Sequence, residues 1–351
     1  MTTSHTTMQA LHLPGFIQDL AAFPTTPTAL PKPTPGANQV LIRIHAVGCN
    51  FFDLLLVQGK YQYRPKGAFT PGSEFSGVVE QLGPQVTHLQ VGDRVFGAVQ
   101  VGAYATHVVA DARGVIAVPK TLSMNQAAGI FLTYPTSYAG LVVRANVQPG
   151  ETVLVHAGAG GVGLAAVQIA KHMLGARVIA TASSDDKLEV MRQNGADHVV
   201  NYKTEDWVQR VKEITKGKGV DVVYDPVGEI DKSLKVVAWN ARLVVVGFAK
   251  FPPGGSESIT TNRILLKNVS VMGVFWGQYR VAEPAVILRV WKALLQGFAE
   301  GKLNPVVFPR EFKGLESAKA ALECLGGRKS YGKVVVQVVP DGERDGQKAK
   351  L

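Results

Sequence analysis

A glycine pattern near the middle of the chain is the strongest indication of chemistry. Gly158, Gly160 and Gly163 match G-x-G-x-x-G, with an apolar β-branched run at 152–155 before them and a helical pattern over 164–173 after them. Glycines between a strand and a helix let the backbone approach a pyrophosphate, and the helix N-terminus offers free N–H groups and a partial positive charge. The sequence therefore predicts a dinucleotide-binding turn. Its cofactor contacts are expected at Ala159, Gly160, Gly161, Val162 and Gly163.

The second strand of the same pattern ends in hydroxyl-bearing residues. Enzymes of this kind that use NAD commonly place Asp or Glu about 20 residues beyond the glycines, on the ribose 2′-hydroxyl. Here Ser183 and Ser184 stand at that place, with Lys187 one helical turn later. Hydroxyls and an ammonium group suit a 2′-phosphate, which a carboxylate would repel. Two alternatives stay open: Ser183 and Asp186 could form a capping box, and Asp185 with Asp186 leaves a route to NAD.

The elements that position these residues alternate between strands and helices. Such alternation over 127–280 predicts an α/β fold with a doubly wound parallel sheet. Loops at the carboxyl ends of its fourth and fifth strands are expected to collect ligand, and they supply Val227, Gly247, Phe248 and Ala249 as cofactor contacts. The strands are predicted at 152–157, 177–182, 198–201, 220–224, 242–247 and 269–274.

Glycine-punctuated strand patterns, such as 40–47 and 92–97, predict a β-rich domain before this one. A strand-like run at 332–338 predicts that the chain returns to it. The expected division is 1–126 with 281–340 for the β-rich domain, 127–280 for the inserted nucleotide domain, and a flexible tail at 341–351.

Composition excludes several classes of protein. The 351 residues are 46% hydrophobic and 18% charged, as in soluble globular proteins. The two cysteines form no Cys-x-x-Cys pair, so a disulfide scaffold or thiolate zinc site is not expected. No apolar run reaches the roughly 20 residues that span a bilayer. The net charge of +10 comes from scattered lysines and arginines, which favours a solvated basic surface over a nucleic-acid site.

Taken together, the motifs resemble the zinc-free quinone oxidoreductase branch of the medium-chain dehydrogenase/reductase superfamily, the group of zeta-crystallin, across roughly 8–340. That resemblance implies a Rossmann sheet inserted in a GroES-like β-rich domain. The segments that carry it are 47–53, 71–77, 92–95, 157–163, 195–197 and 225–228.

Zinc-dependent relatives carry a cysteine where this chain has Asn50 and a histidine where it has Ser73. The four-cysteine lobe of those relatives is also missing from the sequence. Catalytic zinc needs three good protein ligands, so we expect no metal.

The resemblance also implies roles for individual residues. Lysine at the place of Lys187 and tyrosine at the place of Tyr202 bind the 2′-phosphate in that family, which favours NADPH. Asn50, Asp53 and Tyr61 are the catalytic candidates, although Asn-x-x-Asp is also an N-cap pair that opens a helix. Contacts beside the nicotinamide are implied for Thr136, Val274, Phe275 and Trp276.

The expected activity is NADPH-dependent reduction of quinones or α,β-unsaturated carbonyls, by hydride or electron transfer. The alternatives are an enoyl-thioester or 2-enal reductase and, from another class, a nucleotide-bound structural or RNA-binding protein. A homodimer is expected through an edge strand at 264–274. The expected location is the cytoplasm, with the peroxisome as an alternative because Ala349-Lys350-Leu351 resembles a Ser-Lys-Leu signal.

Overall fold

Strand and helix patterns along the chain fold into two units in the computed structural model, which describes residues 6–251, 255 and 257–338. Unit 1 consists of Met1–Phe131 with Val307–Leu351, and unit 2 of Leu132–Val306. Unit 2 therefore interrupts unit 1 in the sequence, as predicted for the nucleotide domain. Helices and strands are numbered in chain order through both units.

The first segment of unit 1 is rich in strands, as its alternating apolar residues predict. It contains β1 (Thr7–Ala10), β2 (Thr28–Pro31), β3 (Gln39–Gly48), α1 (Phe51–Val57), β4 (Glu74–Leu82), β5 (Arg94–Ala98), β6 (His107–Asp111), β7 (Val115–Ala117) and α2 (Met124–Ala127).

Strands and helices alternate through unit 2. Its elements are α3 (Thr133–Tyr138), which continues as a π-helical segment (Ala139–Arg144), then β8 (Thr152–Val155), α4 (Gly161–Gln168), which also continues as a π-helical segment (Ile169–Met173), β9 (Arg177–Ala182), α5 (Asp185–Gln193), β10 (His198–Asn201), α6 (Trp207–Ile214), β11 (Val220–Asp225), α7 (Ile230–Ser233), β12 (Val237–Val245), α8 (Thr261–Lys267), β13 (Ser270–Gly273), α9 (Trp276–Ala282) and α10 (Pro284–Ala299).

The chain then returns to unit 1 with β14 (Phe312–Lys313), α11 (Ala318–Gly326) and β15 (Val335–Gln337). In the main sheet of unit 1 the order is β14-β15-β3-β4-β5-β7, and β6 also pairs with β3. The return to the sheet is thus made by β15, which pairs antiparallel with the end of β3. Fully buried Ile42, Ile44, Phe75 and Val336 belong to the core of this unit.

The six strands of unit 2 form one parallel sheet in the order β10-β9-β8-β11-β12-β13. This is the strand order of dinucleotide-binding domains, in which ligands collect at the carboxyl ends where the order reverses. The reversal lies between β8 and β11. The predicted doubly wound sheet is therefore confirmed. The two loops that the sequence analysis expects to collect ligand follow β11 and β12.

The described structure corrects the predicted domain boundary. Residues 281–306, which the sequence analysis placed in the β-rich domain, lie in unit 2, as do 132–280, while 127–131 lie in unit 1. The reason is the apolar face of α10, which buries Val290, Trp291 and Leu294. The Phe298 ring of α10 also meets Tyr134 of α3, with ring centroids 5.0 Å apart.

The prediction of a single edge strand over 264–274 is wrong. Residues up to Lys267 belong to α8, and Asn268 ends that helix in the left-handed conformation with φ of 50°. Only β13 is a strand, at the edge of the sheet, where it pairs with β12. The edge position itself was predicted correctly.

No helix within the described ranges is both long and apolar enough to cross a membrane. The predicted tail at 341–351, with its Ala349-Lys350-Leu351 end, lies outside the described residues.

Candidate functional site

The turn between β8 and α4 has room only for glycine at two of its three motif positions, Gly158 and Gly163. A Cβ on Gly158 would lie 2.6 Å from Met191 Sδ and 2.8 Å from Ala180 Cβ. A Cβ on Gly163 would overlap the Ala157 carbonyl oxygen and lie 2.8 Å from the Gly158 Cα. The turn is closed by Gly160 N, which donates to Ala157 O at 2.9 Å. The glycine pattern therefore reflects close backbone packing of this turn.

The first turn of α4 is built to receive an anion. Gly160 is the N-cap and has no side chain to satisfy the N–H groups of the first turn. Ser137 Oγ donates to the Val162 carbonyl at 2.8 Å and so ties this turn to α3. The N–H groups of Gly161, Val162 and Gly163 belong to this turn, with Ala159 buried just before it. A backbone cradle without a Cβ at the positive end of a helix fits a pyrophosphate.

The carboxyl ends of β9 and β10 bring the predicted 2′-phosphate residues together. In the parallel register Asn201 pairs with Ala182, and Tyr202 N donates to Ala182 O at 3.0 Å. Tyr202 thus lies beside the strand end that leads into Ser183. Ser184 is the N-cap of α5, and Lys187 lies in the first turn of that helix. The Tyr202 side chain is exposed.

The predicted capping box between Ser183 and Asp186 is wrong. Ser184 is the N-cap instead, so Asp186 is the second residue of α5, not the third. The Ser184 hydroxyl hydrogen-bonds the Asp186 carboxylate and lowers the pKa of that group. Asp185 accepts a hydrogen bond from Asn201 Nδ2 at 3.4 Å. Both carboxylates therefore contact polar groups of this region, while Ser183 directly follows the end of β9.

A buried carboxylate shapes the loop after β11. Asp225 accepts hydrogen bonds from the N–H groups of Val227, Gly228 and Glu229, at 2.7, 3.0 and 2.5 Å. Burial raises its pKa, and these N–H groups oppose the rise. The Asp225 carbonyl accepts from Gly247 N at 3.4 Å, which links this loop to the one after β12.

The loop after β12 approaches the β11 loop closely. A Cβ on Gly247 would lie 3.1 Å from the Pro226 carbonyl oxygen, which also accepts a hydrogen bond from Ala249 N. Phe248, by contrast, presents an exposed ring. The predicted ligand loops are thus neighbours through their backbones.

The predicted nicotinamide contacts differ in their exposure. Phe275 exposes its ring, whereas Val274 and Trp276 are buried, and the Trp276 ring lies 5.4 Å from that of Tyr279. The Thr136 hydroxyl donates to the Leu132 carbonyl at 2.7 Å. Of these four residues, Phe275 offers the largest free apolar surface.

A second group of polar residues is buried in unit 1. Lys333 Nζ lies 2.6 Å from Glu74 Oε2 and donates to Asn50 Oδ1 at 2.5 Å. Asn50 Nδ2 donates to the Gly48 carbonyl and to Glu74 Oε2, both at 3.1 Å. All three side chains are at least nine-tenths buried. The amide of Asn50 is therefore engaged at both ends by its own unit.

Asp53 closes the start of α1, as the N-cap alternative predicted. Its Oδ2 accepts from Asn50 N at 2.8 Å and from Tyr104 Oη at 3.5 Å. Burial raises the pKa of Asp53 to about 7. Among the residues that the structure describes, Asp53 Oδ1 has no hydrogen-bond partner. Asp53 thus helps to fix the cap and carries a carboxyl group that titrates near neutral pH.

Tyr61 is the half-buried member of the catalytic candidates. Its ring stacks on Phe52 with centroids 5.0 Å apart. Burial and the nearby Asp53 charge raise its pKa, so the phenol keeps its proton at neutral pH. A protonated phenol can donate a hydrogen bond or a proton to a carbonyl oxygen.

Sequence reasoning missed Lys333, whose signal was a single lysine directly before the valine-rich run 334–338. It also missed His156, a buried ring directly before the glycine turn. His156 lies 2.9 Å from Ser233 Oγ and 3.3 Å from Thr181 Oγ1, and burial lowers its pKa to about 4. Neutral His156 therefore joins the ends of β8 and β9 to α7.

The place of the zinc ligands in relatives holds Asn50 and Ser73. Asn50 is engaged as described, and Ser73 Oγ donates to the Gln100 carbonyl at 3.1 Å. Over the described ranges, no three His, Cys, Asp or Glu side chains are grouped as a metal site would require.

Two family models match this chain. Residues 36–120 match "Alcohol dehydrogenase GroES-like domain" and residues 161–292 match "Zinc-binding dehydrogenase". The first match lies in unit 1 and the second in unit 2, so the predicted pairing of a GroES-like domain with a nucleotide domain is confirmed.

Curated relatives and solved structures point to the same family as these two models. The chain is 39% identical to quinone oxidoreductase-like protein 2 homolog of Nematostella vectensis, covering 86% of this chain and 82% of that protein. It is also 39% identical to quinone oxidoreductase-like protein 2 of Bos taurus, covering 88% and 87%. The Escherichia coli quinone oxidoreductase, solved in complex with NADPH, superposes with a TM-score of 0.80 at 30% identity, covering 94% of this chain and 99% of that one.

Proposed function

This chain belongs to the zinc-free quinone oxidoreductase branch of the medium-chain dehydrogenase/reductase superfamily, and we propose that it reduces quinones or α,β-unsaturated carbonyl compounds with NADPH. The observation that carries the choice of cofactor is the grouping of Ser183, Ser184, Lys187 and Tyr202 at the carboxyl ends of β9 and β10. A hydroxyl, that of Ser183, stands directly after β9, where a carboxylate would repel a phosphate. An ammonium group one helical turn later supplies charge for a 2′-phosphate.

The residues of unit 2 bind and orient the cofactor in this proposal. The N–H groups of Gly161, Val162 and Gly163 hold the pyrophosphate. Bound NADPH supplies the reducing equivalents, and the protein supplies orientation and exclusion of water. The exposed rings of Phe248 and Phe275 pack against apolar parts of the bound molecules.

In unit 1, Tyr61 donates a hydrogen bond to the substrate oxygen, because its phenol is protonated at neutral pH and its ring is held by Phe52. Asn50 acts indirectly, since Lys333, Glu74 and Gly48 use both ends of its amide. Asp53 fixes the start of α1 and the electrostatic environment of Tyr61.

A panel of electron acceptors tests the activity. The purified protein is assayed with ortho-quinones, para-quinones, enones, enals and enoyl-thioesters, each with NADPH and with NADH. Turnover of a quinone or enone, faster with NADPH, is the expected result. Turnover of enoyl-thioesters alone would favour the alternative reductase. If no acceptor were turned over, and the protein bound to single-stranded RNA and were released by NADPH, the function as an RNA-binding protein would be supported instead of the enzymatic one.

The oligomeric state and location complete the proposal. The protein forms a homodimer through the β13 edge, where an unpaired strand needs covering and Leu265 and Leu266 of the preceding α8 are exposed. A monomer mass by light scattering at micromolar concentration would contradict this. The protein works in the cytoplasm, and a fluorescent protein fused to the last twelve residues tests the peroxisomal alternative.

A further inference from the structure

Asn201, the last residue of β10, fastens together the two segments that form the proposed 2′-phosphate site. Its side chain is buried, although the next two residues, Tyr202 and Lys203, are exposed. Asn201 Oδ1 accepts from Lys203 N at 3.1 Å, and Asn201 N donates to Glu205 Oε1 at 2.8 Å. These bonds shape the turn that carries Tyr202. Asn201 therefore determines the path of the chain on the β10 side of the site.

The other end of the same amide reaches the α5 side. Asn201 Nδ2 donates to Asp185 Oδ1 at 3.4 Å. Asp185 is the first residue of α5, two positions before Lys187 and one after Ser184. A carboxylate at this place repels a 2′-phosphate and suits a ribose 2′-hydroxyl. The contacts of this carboxylate therefore affect whether NADPH or NADH binds more tightly.

We propose that Asn201 is a positioning residue for cofactor selectivity: its amide donates to the Asp185 carboxylate, which leaves that carboxylate less available to a ribose 2′-hydroxyl and so favours NADPH over NADH. The inference rests on the proposed function, because it assumes that a 2′-phosphate binds among Ser183, Lys187 and Tyr202. Asn201 itself does not contact the cofactor in this account. Its effect on selectivity passes through Asp185.

A double-mutant cycle tests this coupling. Asn201→Ala is made in the natural sequence and in the Asp185→Asn background, and the dissociation constants of NADPH and NADH are measured for all four proteins. In the natural sequence, the NADPH preference should fall about fivefold, as expected when a partly screened carboxylate loses its hydrogen-bond donor and becomes free to accept from a ribose 2′-hydroxyl. In the Asp185→Asn background the same substitution should change the preference less than about twofold, since no carboxylate remains to be released.

A second variant covers the case in which alanine at position 201 prevents folding. Asn201→Asp keeps the acceptor for Lys203 N but places a carboxylate against Asp185, so the NADPH preference should fall about tenfold. Adding Asp185→Asn restores a donor and acceptor pair with the natural net charge, and should restore the preference. Binding of 2′,5′-ADP should follow the NADPH values, and binding of 5′-AMP should follow the NADH values.

The outcomes separate the inference from the function on which it rests. Equal loss of preference in both backgrounds, equal weakening of both cofactors, or no change at all would overturn the role of Asn201. A natural protein that binds NADH as tightly as NADPH would overturn the proposed cofactor first, and the inference with it. Preference in the natural protein, lost in Asn201→Asp and restored by Asp185→Asn, supports both.

Discussion

Gly163→Ala should disrupt the turn before α4 and with it cofactor binding. The added Cβ would overlap the Ala157 carbonyl oxygen and lie 2.8 and 2.9 Å from the Cα and C atoms of Gly158. All of these are backbone atoms, so no side chain can rotate away and the turn itself must shift. Overpacking of this kind costs about 3 kcal/mol, the upper end of its usual range. For a domain of this size that lowers Tm by roughly 6–12 °C.

Differential scanning calorimetry measures the stability, and a fluorescence titration with NADPH measures the affinity, which should fall at least about tenfold. Gly114→Ala is the matched control, because the same methyl group there would meet nothing within 4 Å and the residue belongs to unit 1, not to the unit with the glycine turn. That variant should behave as the natural protein in both assays. If Gly163→Ala kept its Tm and affinity, the close packing of this turn would be refuted as the reason for its glycines.

Three further outcomes are expected. Lys187→Glu should weaken NADPH binding by roughly ten- to a hundredfold while sparing NADH, because it removes a charge-assisted contact; parallel titrations measure this. Lys333→Met should lower the free energy of unfolding by about 3–5 kcal/mol in denaturant melts, because it removes the positive charge that lies 2.6 Å from the buried Glu74 carboxylate. Folding raises the Asp53 pKa from 3.8 to about 7, so the folded state retains a proton that the unfolded state releases between about pH 4 and pH 7. The natural protein should therefore lose stability as the pH rises through this interval, and Asp53→Asn should abolish that loss.

Each of these has a contradicting result. Equal effects of Lys187→Glu on the two cofactors would remove the 2′-phosphate assignment. Lys333→Met would contradict the buried ion pair if it cost no more than Lys329→Met, the control at an exposed lysine. For Asp53, thermal melts of the variant and the natural protein whose difference stays constant between about pH 4 and pH 7 would show that this carboxyl does not titrate as described.

Local patterns were sufficient to predict most of unit 2. The strands at 177–182 and 198–201 match β9 and β10, because the first β-branched run lies between Gly175 and Ser183 and the second follows the turn at Gly195. The predicted start of the fifth strand at 242 was late, because β12 begins at Val237 and passes through Asn240 in the left-handed conformation. Such an irregularity interrupts the pattern without ending the strand.

Contacts distant in sequence explain what could not be predicted. The glycine turn and the Ser184 cap are set by neighbours within a few residues, and the sequence identified that region. The Asn50 amide is engaged by Lys333, 283 residues away. Spacing cannot reveal such a pairing, so the sequence names Asn50 as a catalytic candidate without showing that Lys333 and Glu74 engage its side chain.

The measurement that tests the central claim most directly is calorimetric titration of the natural protein with NADPH and with NADH under the same conditions. The proposed 2′-phosphate site at Ser183, Ser184, Lys187 and Tyr202 predicts that NADPH binds at least about tenfold more tightly, the contribution of one charge-assisted contact to the 2′-phosphate. Equal affinities, or tighter binding of NADH, would contradict this account of the site.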